Sequence, residues 1–279
     1  WTYDDGNGNT VIQTQDVVIE DITSPIVTDC PANISVNNDA GICGAVVNYS
    51  APLFEDNCDG TGLTGVLTQG LASGSEFPVG VTTVTYSYSD DAGNGPVECT
   101  FTVTVVDNED PQITVPADVT VFTDGGLCSA TGVVLGTPTT SDNCTVADVS
   151  NDAVEPFALG ATTVTWTVTD GSGNTATATQ TVTVVDNEDP EITAPTDVLV
   201  FTDAGQCSAT GVVLGTPTTS DNCTVADVSN DAVEPFALGA TTVTWTVTDG
   251  SGNTATATQT VTVVDNEDPQ ITVPADVTV

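Results

Sequence analysis

The groups in this chain with the most chemical potential are carboxylates and thiols, and both recur at fixed spacing. Asp107, Glu109 and Asp110 of the segment DNEDP return 79 residues later as Asp186, Glu188 and Asp189, and again as Asp265, Glu267 and Asp268. Acid and amide pairs keep step with them. Asp142 and Asn143 return as Asp221 and Asn222, while Asp170 and Asn174 return as Asp249 and Asn253. Oxygens gathered on loops suit Ca²⁺, which takes about six to eight of them and tolerates loose geometry. All these residues are therefore candidate calcium ligands, concentrated where one repeat meets the next. The competing reading is that Asp and Asn cap turns and keep the joints soluble.

Composition narrows the remaining chemistry. There is no Lys, Arg or His against 39 acidic residues, a formal charge of −39. No internal side-chain salt bridge can form. Nucleic acid and anionic membranes are excluded as partners by charge, and no apolar run in the sequence is long enough to cross a bilayer. Serine has no usual general base, so the chain is not expected to be an enzyme. A carboxylate pair can hydrolyse a glycosidic bond, but a surface repeated module by module makes a poor cleft. The acidity keeps a repetitive protein soluble, with like charges on neighbouring modules repelling over a Debye length of about 8 Å.

The eight cysteines are also periodic. Cys43 and Cys58 occupy the slots of Cys128 and Cys144 and of Cys207 and Cys223. Cys30 and Cys99 stand where the next repeat has Val115 and Ala178 and the third has Ala194 and Ala257. An exchange of a cysteine pair for an apolar pair places both slots face to face in the interior. With one pair per repeat, the expected bridges are Cys30 to Cys99, Cys43 to Cys58, Cys128 to Cys144, and Cys207 to Cys223. Full pairing implies an oxidising, extracytoplasmic setting. Zinc is disfavoured, since CxxC spacing and histidine are both lacking.

The elements that must position these groups follow from the period. Residues 1–20 read as the closing strands of a preceding module, 21–106, 107–185 and 186–264 as three complete modules, and 265–279 as the opening of another. In the second module ATTVTWTVTD, from Ala161, alternates Val164, Trp166 and Val168 with threonines, a half-buried strand. The turn at Gly171 to Asn174 returns the chain through Thr175 to Val185. Shorter strands are expected at Ile113 to Val115, Val119 to Phe122, Ser129 to Leu135 and Val146 to Val149, about seven in all. Val and Thr favour strands, and no helical period occurs. The fold class is all-β: tandem immunoglobulin-like sandwich modules in an extended array. Trp166 and Trp245 read as core fillers.

Taken together, these motifs resemble the hyalin repeat, or HYR, family of immunoglobulin-like modules. The carriers in the first module are Asp21 to Pro25, CPANISV from Cys30, NDAGIC ending at Cys43, EDNC ending at Cys58, FPVGVTTVTYSYSDDAGN from Phe77, and CTFTVTV from Cys99. The later modules keep DNC, LGATTVTWTVTDGSGNTAT and DNEDP but lack the outer cysteine pair. The resemblance implies an extracellular or cell-surface protein. Near-identical copies without basic residues are most similar to the long arrays of Bacteroidota surface proteins, including gliding adhesins of the SprB type exported by type IX secretion. In an immunoglobulin sandwich the F–G turn and B–C loop lie where the chain enters. Asp170, Asn174 and Asp142 or Asn143 are then expected near the 107–111 link, somewhat as in cadherin linkers. The first joint, with DITSP in place of DNEDP, is expected to be weaker.

The expected function is that of a structural spacer or stalk segment in a cell-surface or extracellular filament, with calcium-stiffened joints. Its partners would be neighbouring modules of the same chain. A strand of about ten residues at roughly 3.3 Å each gives a module some 35–40 Å long. The alternative is a set of low-affinity modules that bind surface polysaccharide, proteins or other filaments by avidity.

Overall fold

The computed structural model describes residues 1–277, and every regular element among them is a β-strand. The chain forms two compact units. One comprises Trp1–Ile113 with Thr140–Val149 and Val168–Ala176, and the other comprises Thr114–Thr139, Ser150–Thr167 and the chain from Thr177 onward. The division runs through the second repeat, so the loops of that repeat nearest the Asp107 joint belong with the first.

In the first unit, the repeat 21–106 is a β-sandwich. One sheet orders Ile34–Asn37, Val97–Val106, Gly80–Tyr88 and Val66–Gln69; the opposing strands are Ile26–Asp29, Leu53–Asp56 and Gly60–Thr64, with Gly44–Val47 paired to Ser75–Pro78. Its edge strand Ile34–Asn37 runs parallel to Val103–Val106, whereas the long pair Gly80–Tyr88 and Val97–Val106 is antiparallel. Inward positions of these strands build the core from Phe54, Phe77, Val84, Phe101, Val103 and Val105. Each such side chain removed from water contributes about 1.5–3 kcal/mol. Tyr49 packs edge-on against Phe101, at 5.0 Å between ring centroids, and its hydroxyl lies 3.3 Å from that of Tyr86. Desolvation, followed by the contact with Tyr86, pushes the Tyr49 phenol far above its ordinary pKa.

In the second unit, the repeat 186–264 has the same plan with a different core. Val198–Phe201 pairs in parallel with Thr254–Val264, which is antiparallel to Gly239–Asp249, which in turn pairs with Val225–Asn230. Trp245 lies opposite Ala257 in the ladder, as Tyr86 lies opposite Cys99 in the first repeat. Its indole Nε1 donates to Gln259 Oε1 at 3.1 Å, and Gln259 Nε2 donates to the carbonyls of Thr196 (2.7 Å) and Leu214 (2.8 Å). Trp166 and Gln180 repeat the arrangement with Ala117 and Leu135. A buried amide that satisfies three partners joins the central strands to the loops around them.

The second repeat runs through Gln112–Thr114, Val119–Phe122, Ser129–Ala130, Thr139–Ser141, Val146–Asn151, Phe157–Ala158, Gly160–Asp170 and Thr175–Val185. The strand expected at Ser129 to Leu135 therefore stops at Ala130. Gly132 and Gly136 take positive φ (66° and 87°), and the Leu135 carbonyl is used by the Gln180 amide rather than by a ladder. Thr139–Ser141 and Phe157–Ala158 are short strands beyond those expected. Phe122 and Phe201 are 60% and 57% exposed, so two aromatics lie outside the core.

Candidate functional site at the module joints

Strand alternation sets the position of the key acid. In Gly239–Asp249 the inward face carries Val243, Trp245, Val247 and finally Asp249, so the core stripe ends on a carboxylate 2% exposed. The turn that follows wraps around it. Asp249 Oδ1 accepts the N–H groups of Ser251 (2.9 Å), Gly252 (2.6 Å) and Asn253 (2.7 Å), and Oδ2 accepts Asn253 Nδ2 at 2.8 Å. Burial alone would raise its pKa, but the side-chain bond from Asn253 and the backbone bonds outweigh this and hold it below the usual carboxylate value. Asp170 and Asn174 form the same turn with the same balance.

Within the second unit, the Asp186 joint is assembled on this turn. Asn253 Nδ2 also donates to the Asp186 carbonyl at 3.3 Å, and Asn222 Nδ2 donates to Asp186 Oδ1 at 3.1 Å. Asp186, Asp221 and Asp249 present carboxylate oxygens within 4.8 Å of one another. Asp186 is 4% exposed, and its Oδ2, with Asp221 Oδ1 and Asn222 Oδ1, is buried without a hydrogen-bond partner. Unpaired anionic oxygens in the interior are costly. Such a donor set fits a hard, oxygen-seeking cation such as Ca²⁺.

Glu188 does different work. Both of its carboxylate oxygens accept the Gly126 N–H, each at 3.0 Å, which clips the loop of the preceding repeat onto the link. Cys128 of that loop is bonded to Cys223, with 4.7 Å between Cα atoms, and Asn222 Nδ2 donates to the Leu127 carbonyl at 3.1 Å. Asp189 is exposed beside an open acidic cleft that also includes Glu188, Glu191 and Asp221.

The Asp107 joint, within the first unit, follows the same scheme. Asn174 Nδ2 donates to the Asp107 carbonyl (3.2 Å) and Asn143 Nδ2 approaches Asp107 Oδ1 (3.5 Å), while Ser172 Oγ bonds Asp107 Oδ2 (3.3 Å). Asp142 Oδ1 and Asn143 Oδ1 are buried and unpartnered. Glu109 clips Gly41 N–H, and Cys43 is bonded to Cys144. The Cys144 sulfur near Asp107 and Asp142 is thus a disulfide and offers no thiolate to a metal. Asp110 is exposed. At the last link Glu267 clips Gly205 N–H, but Asp265 and Asp268 remain exposed, since no acid–amide loop lies over them among the described residues.

Three bridges expected within repeats are corrected by this geometry. Cys43 does not join Cys58, Cys128 does not join Cys144, and Cys207 does not join Cys223; Cys58 and Cys207 are free and exposed. The cause is their placement at opposite ends of a module. The Cys43 loop is held by Glu109 at the exit, whereas Cys58 follows Asp56 and meets Asp21 at the entry. A disulfide needs Cα atoms within about 7 Å. Cys30 and Cys99 are joined, with Cα atoms 5.8 Å apart.

One further cluster was not among the expected ligands. Asp21, Asp56 and Asp90 bring oxygens within 4.8 Å of one another, and Asp21 Oδ2 and Asp56 Oδ1 are buried without partners. The signal was available in the repeat: these residues fill the slots of Asp186, Asp221 and Asp249. Asn94 completes the match by donating to the Asp21 carbonyl at 3.1 Å.

Comparison with known proteins agrees with the motifs. Hyalin of Strongylocentrotus purpuratus is 35% identical over 96% of this chain and 23% of its own length; hyalin of Lytechinus variegatus is 37% identical over 94% of this chain and 51% of its own. The chain thus spans about a quarter and about half of these relatives. Among solved structures, mouse cadherin-23 EC22-24 is similar at 15% identity, covering 87% of this chain and 99% of that one with a TM-score of 0.35. The HYR domain family model matches residues 20–105 and 185–263, more than half of the sequence, and the chain belongs to the HYR domain family.

Proposed function

We propose that this chain is a spacer segment of an extracellular, adhesion-related repeat protein, with joints that are stapled by disulfides and hold Ca²⁺. The observation that carries this reading is the recurrence of one joint: carboxylates in a buried cluster, with a disulfide linking each completed joint to the module before it. Disulfides of this kind belong to an oxidising compartment. The unpartnered oxygens of Asp186, Asp221 and Asn222 offer the ligand set, and those of Asp21 and Asp56 at the first joint and of Asp142 and Asn143 at the Asp107 joint offer repeats of it. Calcium bound to the folded joint stabilises it by mass action. Thermal unfolding is expected at higher temperature in millimolar Ca²⁺ than in chelator, with Mg²⁺ less effective. An unchanged midpoint would end the calcium part of this reading.

A second reading has one observation in its favour. Phe122 and Phe201, exposed in the same slot of successive repeats, form the beginning of a repeated apolar face that can bind polysaccharide or protein by avidity. Glycan-array binding that disappears in Phe122→Ala/Phe201→Ala would support it over a passive spacer.

A further inference from the structure

The Asp107 and Asp186 joints share a sequence and differ in structure. Asp142 and Asn143, the turn Asp170 to Asn174 and the DNEDP link recur unchanged as Asp221 and Asn222, Asp249 to Asn253, and the second DNEDP. Yet three carboxylates converge within 4.8 Å at Asp186, whereas the oxygens of Asp107 and Asp142 are grouped with the Cys144 sulfur, a disulfide atom, in place of a third carboxylate. Asp107 Oδ2 accepts the Ser172 hydroxyl at 3.3 Å, while the matching Ser251 leaves Asp186 Oδ2 without a partner.

The preceding repeat supplies a cause. Asn38 and Thr123 hold one slot, each donating its N–H to the end of its repeat's last strand, at the carbonyls of Val106 (2.9 Å) and Val185 (3.0 Å). Thr123 also donates its hydroxyl to Asp186 Oδ1 at 3.4 Å, where Asn222 Nδ2 (3.1 Å) and the Glu188 N–H (3.1 Å) arrive as well. Three donors on one oxygen fix this buried carboxylate and leave its other oxygen for a cation. Asn38 gives Asp107 no such bond. Its Nδ2 serves the carbonyls of Asp39 (3.5 Å) and Ile42 (3.2 Å), and its Oδ1 accepts the Asn108 N–H (3.2 Å). Asp107 Oδ1 is left with the Glu109 N–H (3.2 Å) and the longer contact from Asn143 (3.5 Å).

Building on the calcium reading, we propose that Thr123 is a positioning residue for the Asp186 site, and that Asn38 in its place makes the Asp107 site the weaker of the two. The ligands of each site stay within one repeat, and the repeat before sets their strength through one hydroxyl. Ser172 acts in the opposite sense at Asp107. Its neutral hydroxyl holds the oxygen that a cation would contact, so binding there must first break that bond. Outer hydrogen bonds that orient a ligating carboxylate change metal affinity by about 10–100-fold, and a bond as long as that of Thr123 belongs near the low end. Modules of the same sequence thus load at different Ca²⁺ concentrations according to what precedes them. Gln112 against Glu191 is a further difference between the two joints, and a replacement at position 38 leaves it untouched.

Calorimetric titration of Ca²⁺ into the unaltered chain, Thr123→Val, Asn38→Thr, Ser172→Ala and Ser251→Ala tests it. Thr123→Val should weaken one site about tenfold. Asn38→Thr should strengthen another, a gain that a merely structural role would not produce. Ser172→Ala should tighten one site and Ser251→Ala none. In chelator, urea unfolding should find Ser172→Ala less stable than Ser251→Ala, since only the first removes a donor from a buried carboxylate. Unchanged affinities in both Thr123→Val and Asn38→Thr, or weaker binding in Ser172→Ala, would overturn the proposal and leave calcium binding itself standing. Absence of binding heat in all five proteins would end the calcium reading and this inference with it.

Discussion

The Asp186 joint and the Asp21 joint share one acid cluster and differ in how they are locked. Asp186, Asp221 and Asp249 match Asp21, Asp56 and Asp90, and each trio lies within a single repeat. The locks come from the repeat before. At Asp186 the preceding loop contributes Gly126 to the Glu188 clip, Leu127 to Asn222 and Cys128 to the disulfide. At Asp21 the position of Glu188 is held by Thr23, which has no carboxylate with which to clip a loop. A module thus carries its own cation cluster, and its attachment is a separate device. Cation binding and stapling should respond independently to mutation.

The largest expected effect breaks the lock. Closing a loop with a sequence separation of 95, the Cys128–Cys223 bridge constrains the unfolded chain by about 4.7 kcal/mol in the chain-entropy model. Cys128→Ser/Cys223→Ser should lower the unfolding free energy by that order in urea. Cys58→Ser should leave it unchanged.

Next comes the buried turn. Asp249→Ala leaves several N–H groups without their acceptor, a loss of about 2–3 kcal/mol. Asp5→Ala, in an exposed turn where Asn9 makes the same side-chain bond at 2.8 Å, should have no measurable effect. Equal effects would show that burial at the joint adds nothing. A smaller change is expected from Glu188→Ala, about 1 kcal/mol for the lost charge-assisted clip, and almost none from Thr23→Ala.

Acid should sharpen the contrast with the smallest signal. Asp170 and Asp249 have folded pKa values held below the ordinary one, so their contribution is complete above about pH 4 and declines as pH falls through the lower folded value. Unfolding followed by tryptophan fluorescence should show less acid sensitivity in Asp170→Asn and Asp249→Asn than in the unaltered chain.

Much of this architecture was legible in the residues, but unevenly. The Val, Trp and Thr alternation identified the long hairpin, and Val119–Phe122 was bounded as it occurs. Gln180 and Gln259 were missed, although each stands in phase with the inward valines of TATATQTVTVV, the only polar interruption of that face. Cysteine spacing misled because it counts residues and does not say which end of a sandwich a loop occupies. The entry loops were placed correctly near the links, since Asn143 and Asn174 do reach Asp107. Asp21, Asp56 and Asp90 were passed over because the DITSP link lacks the glutamate that marks the others, yet the glutamate serves the clip and not the cluster.

Whether the buried joint carboxylates hold Ca²⁺ is decided by isothermal titration of the ion into the unaltered chain and into Asp186→Asn/Asp221→Asn. Saturable binding heat is expected in the unaltered chain, with one site lost in the variant and the remaining sites intact. No heat in the unaltered chain, or the same stoichiometry in both proteins, would contradict it.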